Sequence, residues 1–173
     1  MKNNQNSSFI PTDLLDAQKL VYTPLGFLCE KFEEAAESKD YGACTFELNN
    51  YRVQFRIAKI TPMKIGQFVT LWKRIGKGPI LPYDISDPVD LFIISVRDFQ
   101  RFGQFVFSKE VLREKGIVSI KSKSGKLGIR VYPSWGIPNN KQAEKTQSWQ
   151  IKYFFGIKPD GCIDAEKVQE LFQ

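Results

Sequence analysis

The sequence predicts one mixed α and β domain, a largely antiparallel central sheet flanked by helices, and three patterns lead there. Tyr51, Val53, Phe55 and Ile57 alternate with Arg52, Gln54 and Arg56, the period of two expected of a strand with one buried face. Asp90 opens DLFIISV, an apolar run of strand length, and after a polar turn GQFVF follows, which reads as a central hairpin. Short stretches led by Ser108 and Asp164 carry N-cap residues before helix formers. With 173 residues and 42% hydrophobic composition, the chain has room for one domain with a substantial core.

Residues 1–10, rich in Asn and Ser, read as a disordered or loosely attached arm, and 11–173 as the domain. Thr12 is placed to cap a first helix with Leu14, Leu15, Val21 and Tyr22 on its apolar side, interrupted by Pro24 and Gly26. A second helix is expected over Phe27 to Lys39, because Leu28, Phe32 and Ala35 recur on one side with Glu30, Glu33, Glu34 and Glu37 on the other. Phe46 and Leu48 end a short strand, and Asn49-Asn50 make the turn into the next, Tyr51 to Lys59. Pro62 and Gly66 break the run before Gln67 to Trp72, assigned to the same central sheet as Asp90 to Val96 and Gln104 to Phe107.

The connection GKGPILPYDISDP reads as irregular, Ser108 as the cap of a short helix closed by Gly116, and GIVSIKSKSGKLGIRVY as a hairpin with Lys121, Lys123 and Lys126 at its tip. Trp135 falls in a Pro/Gly/Asn loop, a helix is expected over Ala143 to Gln150, and Asp164 caps a last helix, Ala165 to Phe172.

Charge is segregated. Residues 48–83 hold Arg52, Arg56, Lys59, Lys64, Lys73, Arg74 and Lys77 with no acid, and residues 115–143 hold six more cations with none. The chain is +6 in all, so the remainder stands at −7. A basic face on a dipolar molecule is the footprint of a nucleic-acid or phosphate binder, since solvated faces ordinarily mix signs.

Three cysteines far apart in the chain, Cys29, Cys44 and Cys162, fit a reducing cytoplasmic compartment better than a disulfide framework or a zinc site. The N-terminal MKNNQNSSF is too polar for a signal peptide, and no apolar run approaches the ~18 residues of a membrane span, so no membrane insertion is expected. Histidine is absent, which removes Ser-His-Asp and Cys-His catalysis and histidine-ligated zinc.

The words FRIAKITPMKIGQFVTLWKR, GPILPYD, DLFIISVR, FGQFVF, GIRVYPSW and TQSWQIKYF, in that order from roughly Glu37 to Phe155, resemble those of the MepB family of bacterial proteins. The resemblance implies a cytoplasmic protein associated with multidrug-efflux operons, and a likeness to nucleic-acid-binding, restriction-endonuclease-like folds. It assigns no residue a role.

From the residues, the leading expectation is a non-catalytic protein that binds DNA or RNA with little sequence preference. Arg52, Arg56, Lys59, Lys64, Lys73, Arg74 and Arg130 would meet phosphates; Tyr132, Trp135 and Trp149 would stack; Gln67, Gln104, Gln147 and Gln150 would reach bases or backbone. The same residues converging on a cleft would instead suit a small anionic ligand, or a stress-response adaptor.

A divergent metal-dependent nuclease is the third reading. It needs an acid at a strand end and an acid-x-Lys on the next strand; Asp90 suits the first, but the sole Glu-x-Lys, Glu37 to Lys39, lies elsewhere and the next strand offers Gln104, Phe105 and Val106. Neither a Walker nor a dinucleotide fingerprint occurs. No cofactor and no metal are expected.

Overall fold

A computed structural model describes residues 8–173. Its centre is a six-stranded sheet in the order β1 (Cys29–Glu34), β2 (Cys44–Leu48), β3 (Tyr51–Ile57), β8 (Leu91–Asp98), β9 (Arg101–Ser108), β11 (Phe154–Ile157). Every neighbouring pair is antiparallel except β3 and β8, which run parallel. The α+β class and the largely antiparallel sheet therefore stand as the sequence predicts.

The two faces of this sheet bury separate cores. Val53, Phe55, Leu91, Ile93, Phe102 and Val106 face one side, where α1 (Thr12–Ala17), the π-helical turn Gln18–Tyr22 and α4 (Ala165–Leu171) supply Leu14, Val21, Tyr22 and Val168. Phe92, Ile94, Val96, Phe105 and Phe107 face the other, against Leu112 of α2 (Lys109–Glu114) and a second sheet. Burial on both faces explains why β8 reads as a continuous apolar run rather than an alternation. Each fully buried Phe or Ile contributes about 1.5–3 kcal/mol relative to exposure.

The second sheet has three strands in the order β10 (Gly128–Val131), β5 (Gln67–Thr70), β4 (Lys59–Ile60), all antiparallel. Here the expectation for Gln67 to Trp72 fails: both edges of β3 are taken, by β2 and β8, so the chain leaving β3 starts a new layer. The following residues form β6 (Trp72–Arg74), paired with β7 (Ile80–Pro82) inside the stretch expected to be irregular.

The helix expected over Phe27 to Lys39 is instead the edge strand β1. Its register against β2 slips between Glu30 and Glu33, so that Lys31, with φ at 52°, and Phe32 face the single residue Phe46. That bulge puts the half-buried Cys29 and Phe32 three residues apart, a helical spacing made by a strand irregularity. The glutamates and the bulge also keep this open edge from pairing with another chain.

The hairpin expected after Gly116 has only its second strand, β10; its first half is held by isolated bridges, Asp84 with Ser119 and Ile120 with Lys123. The Ser108 and Asp164 caps form, accepting from the Val111 and Lys167 amides. Thr12 does not cap; helix α1 begins at it, after Pro11. Of the N-terminal arm, Phe9 and Ile10 pack against the first core, and residues 1–7 lie outside the described ones.

Candidate anion-binding groove

Three of the seven cations of the first acid-free window, Arg52, Lys73 and Arg74, are matched by acids from outside it. Arg52 makes a fork to Asp90, with Nε and Nη2 donating at 3.0 and 3.1 Å, and its own amide donates to the same carboxylate at 2.8 Å. The hydrogen bond from Arg52 holds the Asp90 carboxyl below its usual range. Lys73 pairs with Asp87, and Arg74 with Glu37 while its guanidinium lies near the Trp72 ring.

Arg56 is 2% exposed and donates to the Phe55 carbonyl, Gln54 and the Tyr83 hydroxyl, so it is part of the second core rather than of a surface. Lys59 sits over the Tyr41 ring at 4.5 Å. The expected contiguous basic face on β3 and its neighbours is thereby broken up.

Other expected contacts are structural. Gln67 is buried with its amide on the Arg97 carbonyl, and Gln104 is buried between the Tyr22 hydroxyl and Ser95 Oγ. Gln147 pins the loop before α3 (Lys141–Gln150) by donating to the carbonyls of Pro133 and Gly136 at 3.0 and 2.8 Å. Trp135 packs edge-on against Phe154, with ring centroids 5.8 Å apart.

Five of the fourteen expected residues do converge. Lys64, Arg130, Tyr132, Trp149 and Gln150 line a groove of about 840 Å³ between the second sheet and α3, joined there by Lys115 and Lys126. The groove therefore has four cations, and its lining contains no carboxylate.

Lys64, Lys115 and Lys126 are exposed and none of the four is in an ion pair among the described residues; residues 1–7 carry no acid to supply one. Lys115 Nζ lies 5.3 Å from the Trp149 ring centroid. Arg130 is aimed by Thr61 Oγ1 at 2.6 Å and by the carbonyls of Ile65 and Gly66, all neutral acceptors, so its charge is oriented without being cancelled.

The backbone builds this floor with some care for space. Gly66 has φ at 78°, and a Cβ there would stand 2.7 Å from the Tyr132 ring. Gln150 accepts from the Tyr132 amide at 2.8 Å and donates to the Arg130 carbonyl at 2.9 Å, serving β10 as a neighbouring strand would. Asn140 caps α3 by accepting from Ala143 N–H, and it lines the groove with Gln142 and Thr146.

Sequence reasoning sets Lys126 at a hairpin tip and Lys115 in the second acid-free window without assigning either to the site, and it misses Thr61, Asn140, Gln142 and Thr146. The signal for the two lysines was the second acid-free window; nothing local marks the other four.

Around Asp90, antiparallel register sets Ser108 and Lys109 opposite, with the Lys109 amide on the Asp90 carbonyl, instead of Gln104 to Val106. Lys109 Nζ donates to the Asp87 carbonyl and the Asp90 carboxylate is held by Arg52. Among the described residues no three Cys, Asp or Glu side chains are grouped to hold a metal ion, and no helix is long and apolar enough to cross a membrane.

The whole groove lies within residues 35–156, the stretch matched by the model of the MepB-like family. A crystal structure of MepB superimposes with a TM-score of 0.72 at 39% sequence identity, covering 74% of this chain and 86% of that one. Among curated proteins nothing matches. In sequence over most of its length and in fold, the chain belongs to the MepB-like family.

Proposed function

We propose that the protein binds a nucleic-acid strand, DNA or RNA, in this groove, without catalysis and with little sequence preference. The observation that supports it is the convergence of Lys64, Lys115, Lys126 and Arg130 on one cleft with no carboxylate among its lining residues. Unpaired cations displace the counterions condensed on phosphates, and Tyr132 and Trp149 offer ring surface for bases beside them. Contacts of this kind read the backbone and carry no sequence information. A reducing, cytoplasmic setting belongs to the same reading, because Cys29, Cys44 and Cys162 are all unpaired. The operon association implied by the family resemblance would govern when the protein is made rather than what the groove holds.

A second reading, a small phosphorylated ligand, is favoured by the volume, since about 840 Å³ falls within the ~300–1,000 Å³ of small-molecule sites. Titrating labelled oligonucleotides of increasing length by fluorescence anisotropy separates the two. Binding to a strand should tighten with length and weaken with salt at a log-log slope of about −0.7 per phosphate contact. Lys64→Ala with Lys126→Ala should flatten that slope by about 1.4, whereas Arg52→Ala with Lys73→Ala should leave it unchanged. Affinity that is already complete with a mononucleotide would move the assignment to the small ligand. A groove variant that binds as wild type does would remove the groove from consideration. Plasmid incubated with the protein in Mg²⁺ should stay intact.

A further inference from the structure

A second cavity, of about 730 Å³, lies beside the outer strand β11, away from the four groove cations. Its walls are largely apolar, with Phe102, Trp135, Ile157 and Ile163 among them, and Arg101, Lys158 and Asp164 are also in the lining. We propose that it is a separate ligand site, and that it takes a flat aromatic molecule bearing one anionic group.

The strongest indication is Gly156, which faces Gly103 across the β11–β9 ladder. Gly103 is required by the chain itself, because a Cβ there would stand 2.5 Å from the Phe154 ring. Gly156 is not. Its φ is not in the left-handed region, and an added Cβ would meet nothing closer than the Phe102 carbonyl oxygen at 3.9 Å. A glycine inside a strand weakens it and commonly marks a place where another molecule approaches the backbone closely. Here neither a turn nor internal packing uses the freedom, and the bare backbone opens into the cavity.

The walls define what would lie on that floor. Trp135 stands edge-on to Phe154 at an interplanar angle of 75°, held in place by core packing, so its indole is a fixed wall. A planar ring resting on the Gly156 backbone meets it with little loss of side-chain freedom. At the rim, Lys158 is exposed and has no carboxylate partner among the described residues. Arg101 stands beside it, with Cζ 5.7 Å from the Trp135 centroid and an ion pair to Asp98. Asp164 also lines the cavity, but one of its oxygens accepts the Lys167 amide as a helix cap. One ligand carboxylate or sulfonate is therefore matched by Lys158, with Arg101 in support.

The probe is 1-anilinonaphthalene-8-sulfonate, with its uncharged analogue N-phenyl-1-naphthylamine as control. Wild-type protein should bind one sulfonate per chain, and the bound probe should slow alkylation of Cys162, the exposed thiol in the cavity wall, at least threefold. Gly156→Leu fills the floor without a backbone clash and should weaken the probe at least tenfold while melting at the wild-type temperature. Lys158→Gln should weaken the sulfonate about threefold or more and leave the neutral analogue unchanged.

An oligonucleotide that occupies the groove should not displace the probe, so the site stands or falls independently of the groove reading. The proposal is overturned if Gly156→Leu binds the probe as wild type does, or if oligonucleotide displaces it. An alkylation rate of Cys162 that ignores bound probe also overturns it, and that measurement needs no variant to fold.

Discussion

Replacing Gln150 by Leu tests the link between fold and groove directly. The residue is 1% exposed, ends α3, and bridges the Tyr132 amide and the Arg130 carbonyl of the second sheet's outer strand. Leu is close to Gln in size, so the substitution removes two hydrogen bonds while leaving little new space. What remains is one backbone donor and one backbone acceptor without partners in a part-buried position. Each such group costs about 1–3 kcal/mol, nearer the lower end where water can reach it, for a total of about 2–4 kcal/mol. At this chain length a kilocalorie shifts the melting point by about 2–4 °C, so the variant should melt about 4–16 °C lower. Urea unfolding followed by circular dichroism gives the free energy, and anisotropy with a labelled oligonucleotide gives the consequence for the groove. Affinity should fall too, because Arg130 and Tyr132 both lose their anchor. A destabilisation below about 0.5 kcal/mol would show that water replaces the amide at no cost, and that the bridge does not organise the groove.

The cysteines should react in order of burial: Cys162 is exposed, whereas burial pushes the Cys29 thiol up to about 11 and that of Cys44 to about 12. With a disulfide reagent at pH 8, Cys162 should react first and Cys44 only on unfolding; early labelling of Cys44, read by peptide mapping, would contradict its place in the core. Asp90 has its carboxyl held down by Arg52, so its contribution to stability is full above the unfolded-state value of about 3.9 and is lost as pH falls through the lower folded one. Asp90→Asn should therefore unfold more readily at pH 7 yet lose less stability than wild type between pH 5 and pH 2; parallel pH–stability curves would refute the pairing.

Where local pattern and tertiary environment agree, the fold was legible in the chain. The β8–β9 hairpin was, because strands buried on both faces have to be apolar throughout. So was the turn at Asn49-Asn50, where both residues adopt positive φ, 48° and 70°, as a tight hairpin turn requires. The edge strand β1 was not, since its bulge copies a helical spacing, and nothing within Gln67 to Thr70 tells which sheet that strand will join. Trp149 and Tyr132 could be named as candidate groove residues from type alone. Residue type suggests a ligand contact for Gln150, and in the fold it holds the backbone that carries Arg130.

The cations expected to share one face on β3 and its neighbours are divided for a reason that lies in topology. An acid-free window guarantees only that no carboxylate is near in sequence, whereas a strand meets its partners across the sheet. Arg52 has Glu47 opposite it in the β2 register and Asp90 beside it at the start of β8, and the chain brings Glu37 to Arg74 and Asp87 to Lys73. The second sheet is different: β4, β5 and β10 contain no carboxylate, and Arg130, in the outer strand β10, has only the uncharged β5 beside it. Lys64 lies in the loop between β4 and β5, and Lys126 in the loop leading into β10. Cations remain available to a ligand where no carboxylate reaches them across space as well as along the chain; the groove lining meets that condition, since Glu144 of α3 and Glu114 of α2 are not among its residues, whereas Arg52, Lys73 and Arg74 of the first window do not.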